Sequence, residues 1–298
     1  MTVHGERAVI PAARKADAAK ALERFTDGYN TAYRKSDPAA AAEVETGALL
    51  AMEEPRVKAQ RVNSPDGNPG FPPLELTDAQ YTIPKQAGWP KFFVADTESN
   101  RNDFRWLLVF TRSRASDPWK VSYLSILSKD EVPAFRTDED GWAEPVAAGS
   151  SSGLALAPGR LSSTYTGYLQ TGRGGVFADG PATSGQRATR KKLLKTPQFW
   201  TDYRDQPAKP PQYAPVALRT EDGGALAFFA AHHAEQRTMA AGSRVGEVKD
   251  PTAKALMQGK PERALILSRV SESAARIPAR GPVAVLNRLE GVTAARGK

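Results

Sequence analysis

The hydrophobic positions change period along the chain, and the changes mark its elements. From Ala16 onward, Ala18, Leu22, Phe25, Tyr29 and Tyr33 recur in steps of three and four. That spacing predicts an amphipathic helix with one buried face. Residues 1–15 ahead of it read as an extended lead. Asp37-Pro38 sets a capping carboxylate before a proline at the first helical position and predicts a second helix to about residue 47. The run Ser64-Pro65-Asp66-Gly67-Asn68-Pro69-Gly70 is loop chemistry. Strand patterns follow at 80–84, 91–97, 104–114 and 119–128. The third, around Arg105-Trp106-Leu107-Leu108-Val109-Phe110, is apolar at successive positions, as a central strand covered on both faces requires.

The second half repeats this order. Leu161, Tyr165, Tyr168 and Leu169 lie at helical spacing, glycines at 172–175 interrupt them, and Ser184 is placed to cap a helix running towards Tyr203. Strands are predicted at 213–220 and 225–239 around Asp222-Gly223-Gly224, and at 262–277 and 282–292 around Ala279-Arg280-Gly281. Asp250-Pro251 can open a short helix between the two hairpins. Between the halves, the acidic Asp138, Glu139, Asp140 and Glu144 lead into Ala147-Ala148-Gly149-Ser150-Ser151-Ser152-Gly153, a composition suited to a flexible joint. Helices followed by strands, twice, predict an α+β chain of two tandem domains. Their expected bounds are 16–136 and 159–298, with 137–158 as linker. A chain of 298 residues has room for both.

Composition narrows the chemistry. There is no cysteine, which removes disulfides, thiolate nucleophiles and cysteine–zinc sites. The histidines are His4, His232 and His233. No apolar stretch reaches the roughly 18 residues that a membrane span needs. Charge divides unevenly. Residues 1–150 carry 19 Lys/Arg against 22 Asp/Glu, net −3, whereas residues 151–298 carry 22 against 11, net +11. A basic half can draw in anionic polymers or lipid surfaces, although such charge also serves solubility alone.

The candidate site residues follow from that asymmetry. Arg187, Arg190, Lys191, Lys192 and Lys195 place five cations within nine positions, and 187, 191 and 195 would align on one helical face. This is an anion-binding candidate. No helix-turn-helix, zinc-finger or RNA-binding signature accompanies it, so sequence-specific nucleic acid is not expected. Gly149-Ser150-Ser151-Ser152-Gly153 has the letters of a nucleophile elbow, but its flanks are linker, with neither a strand before nor a helix after. His232 and His233 are strand neighbours, so they point to opposite faces and only one can face the interior. Tyr29, Tyr33, Trp89, Trp106 and Trp119, with Asp96 and Asp103, are the inward candidates of the first half. Their spacing fits core packing, and no catalytic set, cofactor motif or metal-ligand spacing emerges.

From Ala16 to Leu127 the order of elements resembles the nuclear transport factor 2-like (cystatin-like) cone, in which a bent sheet wraps a long helix around a pocket; residues 156–292 resemble it more loosely. Thr2-Val3-His4-Gly5-Glu6-Arg7-Ala8-Val9-Ile10-Pro11 and Phe25-Thr26-Asp27-Gly28-Tyr29-Asn30 are similar to an actinobacterial family of exported proteins and lipoproteins without an assigned activity. That resemblance implies an extracytoplasmic address, membrane-anchored or secreted, with Met1 standing where an export segment has been removed. The expected function is non-enzymatic binding or scaffolding. The alternatives are a small-molecule enzyme or carrier using one cone, and a binder of acidic envelope polymer, anionic lipid or another envelope protein through the basic half. Oligomeric state is not legible.

Overall fold

The 3–4 spacing of the first apolar run becomes α1 (Lys15–Lys35), preceded by the short β1 (Ile10–Pro11). The computed structural model describes residues 8–151 and 153–298. Residues 1–7 of the lead, including His4, and Ser152 of the serine motif lie outside the described residues. Ser36 ends α1 in the left-handed region, with its N–H on the Ala32 carbonyl. Asp37 caps α2 (Pro38–Val44) as its sequence predicts, accepting from the Ala39 N–H at 3.0 Å. The two helices meet at Gly28, where a Cβ would lie 2.4 Å from Val44 Cγ1; only glycine lets them approach this closely.

α3 (Gly47–Asn63) is the element that the sequence pattern does not announce. Pro55 lies inside it, and an interior proline ordinarily argues against a helix. Tertiary contact overrides that cost, because Ala48, Leu49, Met52, Val57 and Ala59 are all buried. β2 (Leu76–Thr82), β3 (Lys85–Gln86), β4 (Lys91–Ser99), β5 (Asn102–Arg112) and β6 (Lys120–Leu127) follow. Four of them form an antiparallel sheet of order β2-β4-β5-β6, while β3 pairs with β1.

The second half contributes α4 (Leu161–Thr171), α5 (Gln186–Leu193), β7 (Phe199–Pro207), β8 (Val216–Arg219), β9 (Ala225–Met239), α6 (Pro251–Ala255), β10 (Met257–Gln258), β11 (Ala264–Ile277) and β12 (Ala284–Gly297). Here one expectation is corrected. The helix expected to run from Ser184 towards Tyr203 ends at Leu193, and 199–207 is the strand β7. Pro197 explains the change: it cannot continue a helix, and the chain beyond it finds ladder partners along β9, from Phe199 opposite Met239 to Pro207 opposite Ala231. The sheet order is β10-β12-β11-β9-β7, with β8 pairing the other end of β9.

Alternation on the strands builds the layers. On the four-stranded sheet, Phe93, Trp106, Leu108 and Phe110 face α1, packing with Leu22 and Phe25. Their neighbours Phe92, Val94, Leu107 and Val109 turn the other way and meet Leu226, Phe228, Val270 and Ala274 of the six-stranded sheet. The far face of that sheet sets Ala227, Phe229, Ala275 and Ile277 against Leu161, Tyr165 and Leu169 of α4. The chain is thus an α+β fold layered helix, sheet, sheet, helix, and its halves share a central apolar cluster. The segment expected as a flexible joint is tied to both halves. The Ala143 N–H donates to the Ile83 carbonyl, and the Val146 N–H to the Ala217 carbonyl, both at 2.9 Å.

Candidate functional site

Helical spacing and sheet curvature together open a cleft of about 900 Å3 beside α1. One wall comes from α1, where Phe25 and Tyr29 lie one turn apart, and from Trp106, Leu124 and Ile126 on the four-stranded sheet. α3 supplies Leu49, Met52, Glu53 and Arg56, at the i, i+3, i+4, i+7 spacing of one helical face. The second half closes the cleft with β11, β12 and residues 249–252. α3 reaches β12 because residue 291 is glycine: a Cβ there would stand 2.8 Å from Met52 Cβ.

Three carboxyl groups gather around the buried side of this cleft. Glu53 accepts a hydrogen bond from the Tyr33 phenol on one oxygen and an Arg56 N–H at 3.3 Å on the other. Glu45, at the C-terminal cap of α2, is 1% exposed, and one of its oxygens has no partner. Glu272 sits mid-strand in β11, fully buried, and neither oxygen has a hydrogen bond of ordinary geometry. Burial, followed by the charge of Glu53, raises the Glu272 pKa well above the usual carboxyl range; the Leu124 amide offsets part of this. The Glu45 pKa is likewise raised, by burial first and then by Glu53 and Glu272. Burial and Glu53 also push up the Tyr29 and Tyr33 phenols. Burial against this apolar wall therefore disfavours the ionised forms of Glu45 and Glu272. Among the described residues, no set of three or more His, Asp or Glu is placed to hold a metal ion.

The other face of the same strand carries a second polar cluster. His233 Nδ1 is 2.6 Å from Asp205 Oδ1, and His233 Nε2 is 2.8 Å from Ser271 Oγ. Arg190 grips Asp205 with two bonds of 2.6 and 2.8 Å and stacks on Tyr203, 4.8 Å from the ring centre. Burial tends to raise the Asp205 pKa, but Arg190 and His233 outweigh it and hold it below the usual value. Burial lowers the His233 pKa, partly offset by Asp205. A neutral ring donating from Nδ1 leaves Nε2 to accept the serine hydroxyl. The arrangement has the connectivity of a Ser-His-Asp triad, but Ser271 is 1% exposed, enclosed within the fold.

Comparison with known proteins settles the family. Residues 9–297 match the family described as "Domain of unknown function (DUF8094)". An "Uncharacterized lipoprotein" of Streptomyces coelicolor is 48% identical over 299 residues, covering 100% of this chain and 90% of that protein. Another, from Streptomyces avermitilis, is 46% identical over 302 residues, with the same coverage. The chain belongs to this lipoprotein family. A third relative, again an S. coelicolor lipoprotein, is 27% identical over 96% of this chain and 82% of its own length. No solved structure matches. Among the described residues, no helix of this family member is long and apolar enough to cross a membrane.

The residues singled out from sequence fall into three groups in this DUF8094 protein. Of the five basic candidates, Arg190 is committed to Asp205, and Arg187 bonds the Tyr168 carbonyl at 2.8 Å and lies 5.5 Å over the Tyr168 ring. Lys191, Lys192 and Lys195 are exposed, and Lys195 lies beyond the end of α5. Tyr29, Tyr33 and Trp106 belong to the cleft and its surroundings, while Trp119 is core beside Phe93 and Trp89 is partly exposed between Lys91 and Arg112. Asp96 is held by Arg105 at 2.6 Å, and Asp103 is exposed. His233 is the buried member of its pair; His232 packs edge-on against Tyr213, with ring centres 4.9 Å apart. Glu45, Glu53, Glu272, Asp205 and Ser271 were not among the candidates. Glu272, on the strand face that otherwise carries Val270 and Ala274, is a local irregularity that could have signalled the cleft.

Proposed function

We propose that this protein is an extracytoplasmic, membrane-anchored lipoprotein that binds a small ligand without chemical turnover, with the cleft beside α1 as its binding site. The address rests on the relatives described as lipoproteins. The ligand reading rests on the cleft itself: about 900 Å3, an apolar wall and a few buried polar groups, the usual make-up of a small-molecule site. A pocket walled by the long helix and the sheet is also what resemblance to the nuclear transport factor 2-like cone implies. The neutral dye N-phenyl-1-naphthylamine tests the reading. It should bind one-to-one and fluoresce, and Ile126→Trp, which fills the cleft, should reduce its affinity at least tenfold while the circular dichroism stays unchanged. Equal binding by both proteins, or none by the wild type, rejects it.

A second reading keeps an anionic surface as partner of the basic half. Lys191, Lys192 and Lys195 are exposed and form no ion pair among the described residues, unlike Arg190. Vesicles rich in phosphatidylglycerol should retain the protein in low salt and release it as salt rises. Salt-independent retention, or none, rejects this reading.

A further inference from the structure

Resting on the cleft as the ligand site, we infer that its ligand is an organic ammonium with an apolar body, the charged end seated against Glu272 and Glu53 and the body lying along Phe25, Trp106, Leu124 and Ile126. The unpartnered carboxyl of Glu272 points to this. It is fully buried, it lines the cleft, and neither oxygen is satisfied. A buried polar group in that condition costs stability unless something supplies the missing partner.

Charge selects among possible partners. Glu45, Glu53 and Glu272 act on one another, and Arg56, paired with Glu53 alone, has a side chain 63% exposed. Tyr29, Tyr33 and Tyr123 are the remaining titratable groups that act on these carboxyls from α1 and β6, and all three are neutral. An anionic head placed here would stand against three carboxyl groups. A hydroxyl would satisfy one oxygen and leave the other unpaired. An ammonium supplies donors for both oxygens and a positive charge that favours ionisation of the carboxyls beside it, and the aromatic Tyr29 and Trp106 line the same cleft. The rim competes for the opposite sign through the exposed Lys249, because Arg269 is held by Glu235 at 2.9 Å. Head-group preference is therefore the property that distinguishes the two ends.

Isothermal titration with decylamine, decanol and decanoate, each kept below its micelle concentration, tests this. Decylamine should bind at least tenfold more tightly than the other two. Glu272→Gln, which keeps the side-chain shape, should remove that preference and leave decanol unchanged, while Ile126→Trp should abolish binding of all three. Decanoate binding as tightly as decylamine, or a preference for decylamine that survives Glu272→Gln, overturns the inference but leaves the cleft as a ligand site. If Ile126→Trp changes none of the three, or none binds the wild type, the cleft reading itself fails and the inference falls with it.

Discussion

Ser271 and Glu272 are neighbours on β11, and they face opposite ways into two very different polar environments. On the Ser271 side Arg190, Asp205, His233 and the serine hydroxyl are linked one to the next. On the Glu272 side the carboxyl has no hydrogen bond of ordinary geometry, and a cleft opens beside it. The better-looking catalytic set is the closed one. A paired, enclosed network fixes the position of α5 against β7 and β9, whereas an unpaired carboxyl at a cleft leaves an interaction for something else to make.

Breaking the paired side should have the largest effect. Asp205→Ala leaves the Arg190 guanidinium, 11% exposed, and His233 without their carboxylate. It should cost about 3–5 kcal/mol in a urea unfolding curve. Next comes Gly291→Val, which forces α3 away from β12 at Met52 and should cost about 1–3 kcal/mol.

On the unpaired side the sign reverses. Glu45 and Glu272 have folded-state pKa values above the ordinary 4.5. Their contribution is therefore fully present below about pH 4.5 and is lost as pH rises through the raised values, because the unfolded chain ionises more readily. Asp205 and Asp222 oppose this at the acid end. Their pKa values are lowered, that of Asp222 to about 2, so their contribution is lost as pH falls through those values. Glu272→Gln should accordingly raise stability at pH 8 relative to pH 4.5 and flatten the decline between them. A melting temperature that falls equally in both proteins contradicts this. Ser271→Ala removes one hydrogen bond and should cost no more than about 1.5 kcal/mol. Smallest of all, replacing Lys191, Lys192 and Lys195 with Glu should leave stability within about 0.5 kcal/mol, although it should abolish any low-salt retention on anionic vesicles.

What was legible in the sequence follows from how local each signal is. The 3–4 spacing of α1, the Asp37-Pro38 cap and the apolar runs of β4, β5 and β6 are set by near neighbours, and they stand where they were expected. α3 was hidden because Pro55 opposes the helix and only tertiary packing restores it. β7 was hidden because the basic run ahead of it is helical and its ladder partners lie far along the chain on β9. That error also hid Asp205, and with it the network around His233. The cleft depends on residues as distant as Phe25 and Val292, so no local window contains it.

The division between the two faces of β11 is tested most directly by titrating decylamine into Ser271→Ala and Glu272→Gln side by side. The account predicts that Ser271→Ala binds as the wild type does and that Glu272→Gln loses at least tenfold in affinity. Loss of binding in Ser271→Ala with full affinity retained in Glu272→Gln would contradict it.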